Sequence, residues 1–136
     1  MTTAHLSTDP TTVAHEVLGR LEAAWNNGDG VAFGDVYTAD ASFVTIRGEH
    51  FIGGAAIGAG HDGIFRTIYA GSVNRMDLVR ADEVAEGVIL AVSVNTLDCP
   101  AGPLAGRHRA ASTSVIARDG AGAWRVVSTH NTLVTA

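Results

Sequence analysis

The chain of 136 residues contains no lysine; all nine of its basic residues are arginine. Schiff-base catalysis by a lysine amine is therefore excluded. The single cysteine, Cys99, permits no internal disulfide, which fits a reducing, cytoplasmic setting. No apolar run approaches the about 20 residues that a membrane-spanning helix needs. The opening stretch MTTAHLSTDP lacks the basic start and apolar centre of a secretory signal. A net charge of −5 offers no basic footprint for nucleic acid. The histidines, His5, His15, His50, His61, His108 and His130, show no H-E-x-x-H motif and no close His/Asp cluster. Neither a metal nor another cofactor is expected.

What is present fits one globular domain. Hydrophobic residues make up 46% of the chain, enough for a core of its own but at this length not for two. Residues 1–10 read as a flexible arm and 11–136 as the domain. Asp9-Pro10 supplies a cap and a first-turn proline, and Val17, Leu18, Leu21, Ala24 and Trp25 then trace one helical face. Asn26-Asn27-Gly28 stops that helix, and Asp29 caps a short second one carrying Phe33, Val36 and Tyr37. Phe43-Val44-Thr45-Ile46 reads as a strand, and Phe51-Ile52 as a short one after a turn. Helical spacing returns over 54–69, with Ile57, His61, Ile64, Phe65 and Ile68 on one stripe. Four strands complete the chain, over 72–80, 88–97, 107–118 and 124–134. The second of these reads as buried on both faces, because Val88 to Leu97 is nearly continuously apolar. The order predicts an α+β domain with a curved, mostly antiparallel sheet wrapped over its helices.

Gly58-Ala59-Gly60-His61-Asp62-Gly63 matches the dinucleotide fingerprint G-x-G-x-x-G. The fingerprint needs a parallel βαβ unit, whereas the chain beyond residue 70 reads as antiparallel hairpins. The glycines read instead as allowing a helix to pack closely on the sheet.

Four segments in order, WNNGD, YTADASFV, FIGGAAI with His61 on the adjoining helix, and WRVVSTHNT, resemble the nuclear transport factor 2-like superfamily. Within it the chain is most similar to the SnoaL-like group called the SgcJ/EcaC family, some of whose members belong to enediyne polyketide antibiotic pathways. The resemblance spans about residues 11 to 134. It implies a cone-shaped α+β barrel with three N-terminal helices, an apolar pocket open at one end and a homodimer formed through the sheet. It fixes no reaction, because the fold carries isomerases, cyclases, dehydratases and binders. Placed on the ketosteroid isomerases of the superfamily, the general base falls at Thr45 and the oxyanion-hole pair at Leu21 and Ser114. Thr45 cannot abstract a carbon-bound proton at neutral pH, Leu21 cannot donate a hydrogen bond, and Ser114 replaces the acid, so the chain is not a ketosteroid isomerase.

The resemblance puts His61 where relatives carry a pocket residue on the third helix, and it interrupts an apolar stripe. As an imidazole it is a candidate general acid or base for a polyketide carbonyl or enol; the ordinary alternative is a core histidine held by one hydrogen bond. Tyr37 is its candidate catalytic partner, with core packing as the alternative. Candidate ligand contacts are Trp25, Phe65, Asn95, Ser112, Ser114, His130 and Asn131. Strand alternation allows only one of His130 and Asn131 to face a pocket unless a bulge intervenes. Two functions compete: a cofactor-free enzyme acting on a hydrophobic polyketide intermediate, and a non-catalytic carrier of such a molecule. A third is a module that uses the fold only to dimerise.

Overall fold

The computed structural model describes residues 9–135. Of the expected arm over residues 1–10, residues 1–8 lie outside the described residues, while Asp9 and Pro10 form a helix start. Asp9 accepts the Thr12 N–H at 3.0 Å and caps α1, Pro10–Asn26. One face of α1 is buried through Val13, Ala14, Val17, Leu18, Leu21 and Ala24. Gly28, at φ +63°, turns the chain into α2, Gly30–Asp35, which Asp29 caps through the Ala32 N–H at 3.0 Å. There follow β1 (Tyr37–Val44), β2 (His50–Ile52), α3 (Gly54–Phe65), β3 (Val73–Ala85), β4 (Val88–Cys99), β5 (Gly106–Arg118) and β6 (Trp124–Leu133). The six strands form one sheet in the order β2-β1-β6-β5-β4-β3. Only the β1–β6 pair is parallel, so the helices lie against a curved, mostly antiparallel sheet, as expected.

Several boundaries differ from the sequence reading. Tyr37 opens β1 rather than closing α2, because α2 stops at Asp35 and the Val36 carbonyl accepts the Val126 N–H of β6 at 2.9 Å. Helix α3 ends at Phe65, where the Ile64 carbonyl takes the N–H of both Thr67 and Tyr69 and closes a tight turn. Strand β3 continues to Ala85 through two irregularities, between Leu78 and Arg80 and between Glu83 and Ala85. Strand β4 is buried on one face only: Ile89, Ala91 and Ser93 point inward, while Leu90, Val92 and Val94 stay half-exposed on the outer face. The aliphatic run reflects uncharged outward positions on β4 itself, opposite Asp77, Arg80 and Asp82 of β3, not a second core.

Strand β3 is an edge, and α1 covers part of it. The Asn26 side-chain amide donates to the Asn74 carbonyl at 3.0 Å and accepts the Asn74 N–H at 2.7 Å. Glu22 accepts the Met76 N–H at 2.8 Å. Helix side chains thus take the place of a missing neighbouring strand and blunt the edge against other chains.

The tightest packing lies between α2 and α3. A methyl group on Gly54 would sit 2.6 Å from the Gly34 carbonyl oxygen, and one on Gly58 would sit 2.6 Å from that of Gly30. Gly30 and Gly34 are blocked in return by the Gly58 and Gly54 carbonyls. The glycines of the fingerprint-like motif therefore seat a helix on another helix, not on the sheet. Asp62 completes the contact by accepting the Gly30 N–H at 2.8 Å, which satisfies an orphan donor at the start of α2. Gly58→Ala is expected to destabilise the protein by at least about 2 kcal/mol through overpacking against backbone that has nowhere to move. Gly63→Ala on the same helix, where a methyl meets nothing within 4 Å, is expected to be neutral or stabilising. Chemical denaturation of both variants checks the pair, and equal effects would show that helix propensity, not the contact, sets the cost.

Candidate functional site

Alternation along the late strands gives the concave face its chemistry. Register pairs Ser93 with Ser112 and Ser112 with Asn131, and the next row pairs Ala91 with Ser114 and Ser114 with Thr129. Asn95 lies beside them, its Oδ1 accepting the Ser93 hydroxyl at 3.0 Å. These are short side chains at the middle of a sheet, where a packed core takes leucine, isoleucine or phenylalanine. On the helix side, Trp25 from α1, Phe33 from α2 and His61 and Phe65 from α3 form one aromatic group.

His61 is 5% exposed, and its ring is stacked on Phe33 with centroids 4.0 Å apart. Phe43, Trp25 and Phe65 surround it at 5.1, 5.8 and 5.9 Å. Its Nδ1 lies 2.7 Å from the Ile57 carbonyl oxygen, which can only accept, so the proton sits on Nδ1 and Nε2 carries the free lone pair. Burial disfavours the imidazolium and lowers the pKa to about 4, against smaller opposing effects of the Ile57 carbonyl and Asp62. At neutral pH this side chain is an uncharged hydrogen-bond acceptor. It has no acidic proton to give, and it is a weak base.

Tyr37 does not meet His61 through a hydrogen bond, as its assignment as a catalytic partner would require. Its hydroxyl lies 3.0 Å from Thr129 Oγ1, which in turn lies 2.8 Å from Ser114 Oγ. The reason is the early start of β1, which aligns Tyr37 with Val126 on the neighbouring β6. Burial drives the Tyr37 pKa upward, well beyond its ordinary value, so no phenolate forms under ordinary conditions. Tyr37, Thr129 and Ser114 make a buried chain of three neutral hydroxyls.

The other candidates divide cleanly. Trp25 and Phe65 are half-buried and in contact, with centroids 5.0 Å apart, and the Trp25 indole N–H donates to Ser72 Oγ at 3.0 Å. Ser112 and Ser114 are buried, and Asn95 and Asn131 are half-buried on the concave face. His130 is exposed on the outer face. A register shift between Val115 and Ile116 leaves Val127 unpaired and turns Thr129 and Asn131 inward. Thr45 sits in the turn after β1, where its hydroxyl accepts the Arg47 and Glu49 N–H groups, each at 3.2 Å. Leu21 is in the core. The site of the isomerase base is thus a turn, not a proton acceptor for substrate.

Sequence reasoning missed Thr129, Ser72 and Asn74, all buried polar residues. Thr129 faces inward because of the bulge at Val127, which is set by the pairing of β6 with β5 and leaves no signal in the sequence. Among the described residues no group of three or more His, Cys, Asp or Glu is arranged to hold a metal ion. No helix of the described chain is long and apolar enough to cross a membrane. Two outer hollows, of about 580 and 540 Å³, lie at the β4–β5 loop around Cys99 and Pro100 and along the α2–α3 seam. Neither is lined by His61 or by the serines of the concave face.

Comparison with known proteins gives the fold. No family model and no curated protein matches the chain. Solved structures do. A domain of unknown function with a cystatin-like fold from Nostoc punctiforme superposes with TM-score 0.85 at 21% identity, over 96% of this chain and 80% of that one. An NTF2-like protein with a cystatin-like fold from Novosphingobium aromaticivorans gives 0.77 at 21%, over 94% and 84%. Aln2 from a Streptomyces species gives 0.77 at 16%, over 96% and 94%. The chain has the NTF2-like, cystatin-like fold.

The neutral state of His61 has a measurable consequence. The unfolded chain takes up a proton near pH 6.5 that the folded chain refuses until about 4. Stability is therefore constant above the unfolded value and falls as pH drops through this window. Between about pH 7 and about pH 4.5, wild type should lose on the order of 2 to 3 kcal/mol that His61→Leu does not lose. Urea denaturation at both pH values checks this; parallel losses would show that His61 titrates normally.

Proposed function

We propose that this protein binds a hydrophobic small molecule of polyketide type on the concave face and holds it without transforming it. The observation that carries this reading is the state of His61. Its single proton is committed to the Ile57 carbonyl, and its basicity is suppressed by burial among four aromatic rings. An enzyme working by acid/base exchange near neutrality needs a group that titrates there. The concave face offers hydrogen bonding instead, through hydroxyls and amides of small side chains set among apolar walls, which is the make-up of a binding site for a largely apolar ligand with a few polar groups. Trp25 and Phe65 are the wall; Ser112, Ser114, Asn95 and Asn131 are the polar contacts. His130 takes no part.

The resemblance to the SgcJ/EcaC group supports a setting in enediyne or other polyketide antibiotic biosynthesis, and the lone cysteine supports a cytoplasmic one. The outer face of the sheet supports a homodimer. Leu90, Val92 and Val94 lie half-exposed there, with Ala111, Val115 and Ala117 of β5 beside them. Such an uncharged central patch on a sheet is the kind of surface a second copy covers.

Titration of wild type and His61→Ala with a linear polyene and an aromatic polyketide, with product analysis of the same samples, tests the proposal. Both proteins are expected to bind, within about tenfold of one another, and to return the ligand unchanged. Turnover by wild type that His61→Ala loses would replace the carrier reading with an enzymatic one centred on His61.

A further inference from the structure

Strand β3 carries its outward charges in an alternating order. Register sets Arg75 beside Thr96 of β4, Asp77 beside Val94, Arg80 beside Val92 and Asp82 beside Leu90, so all four lie on the outer face of the sheet. Alternation alone would turn Arg80 inward. The irregularity between Leu78 and Arg80 inserts one extra residue and keeps the four charges on one face. Their spacing, two, three and two residues, is the same from either end, and the signs run plus, minus, plus, minus. Within the strand Arg75 Nε donates to Asp77 at 2.9 Å and Arg80 Nε to Asp82 at 2.7 Å. The four side chains are 47–71% exposed, open to contact by another molecule. Beside them on β4 run the half-exposed Leu90, Val92 and Val94.

Such an order meets its own copy without a like-charge contact when the copy lies antiparallel. A two-fold axis running across the strands, between the Val92 and Val94 rows, sets Arg80 over the partner's Asp77 and Asp82 over the partner's Arg75. The same axis lays Val92 on the partner's Val94. Moving it by half a row, onto Val92, would set Arg80 on the partner's Arg80 and Asp77 on the partner's Asp82. Pairing edge to edge about the same centre is blocked, because Asn26 and Glu22 of α1 already hold the backbone groups of Asn74 and Met76. We propose that the outer face binds a second copy of this chain with the two β3 strands antiparallel, and that Arg75, Asp77, Arg80 and Asp82 set the register. The proposal rests on the homodimer reading above and adds its geometry. The aliphatic residues supply the affinity, and the charges at the margin of the face supply orientation and selectivity.

Three variants of the full chain, studied by sedimentation velocity beside wild type, test this. Asp77→Arg with Asp82→Arg makes the ladder wholly positive, and Arg75→Asp with Arg80→Asp makes it wholly negative. Each is expected to dimerise at least about tenfold more weakly than wild type, because every charge contact across the axis becomes repulsive. An equimolar mixture of the two is expected to form a one-to-one heterodimer with wild-type affinity. The third variant combines all four substitutions, which restores alternation with the signs exchanged, and it is expected to dimerise as wild type does. If both single-sign variants dimerise like wild type, the ladder lies outside the interface; the register falls and the homodimer stands. If their mixture does not pair, or the fourfold variant folds but stays monomeric, the register falls likewise. If wild type itself is monomeric at every concentration, the homodimer reading is overturned, and the inference with it.

Discussion

The arrangement depends on a backbone-to-backbone contact between α2 and α3. Four glycines, Gly30, Gly34, Gly54 and Gly58, let the two helices approach until each blocks a side chain on the other. A helix of six residues has almost no stability of its own and must be held by what it packs against. Holding it this closely brings Phe33 flat over His61 and fixes the ring from one side, while the Ile57 carbonyl fixes its proton from the other. Asp62, one residue on, ties α3 to the start of α2. The electrostatic state of the site is thus a consequence of helix packing, since an imidazole enclosed by aromatic rings has no solvent to stabilise its charge.

The polar groups inside follow one pattern. Each is neutral, and the hydrogen bonds among them run between hydroxyls and amides, as in the Tyr37–Thr129–Ser114 chain and the Ser93–Asn95 pair. The charged side chains sit on the outside, where ion pairs such as Arg75–Asp77 and Arg107–Asp98 are largely exposed and add little stability. The buried polar side chains thus bring no resident charge into the interior.

Much of the fold was legible because caps and periodicity are local. Asp9 and Asp29 cap the helices that the sequence assigns to them, and the apolar stripe of α1 is buried as its spacing implies. The glycine motif was legible as packing but not as packing of helix on helix, since its partner glycines lie on a different element, far away in sequence. Tyr37 was misplaced because Phe33, Val36 and Tyr37 have helical spacing; the pull of β6 on Val36 decided the matter. His130 and Asn131 could not be separated from alternation alone, because the bulge at Val127 is set by pairing with β5. Asn74 and Thr129 escaped notice because a polar residue in a strand gives no local sign of which face it occupies. The side-chain types of the site could be read from the chain, but their partners could not.

The most direct measurement is the nitrogen-15 spectrum of the His61 imidazole, followed from about pH 8 to about pH 5. If the ring is held neutral by its surroundings, the signals of the Nδ1–H tautomer persist unchanged across that range, well below the ordinary histidine value of about 6.5. A titration midpoint near that ordinary value, or an Nε2–H tautomer, would contradict the account and return His61 to the role of an acid/base catalyst.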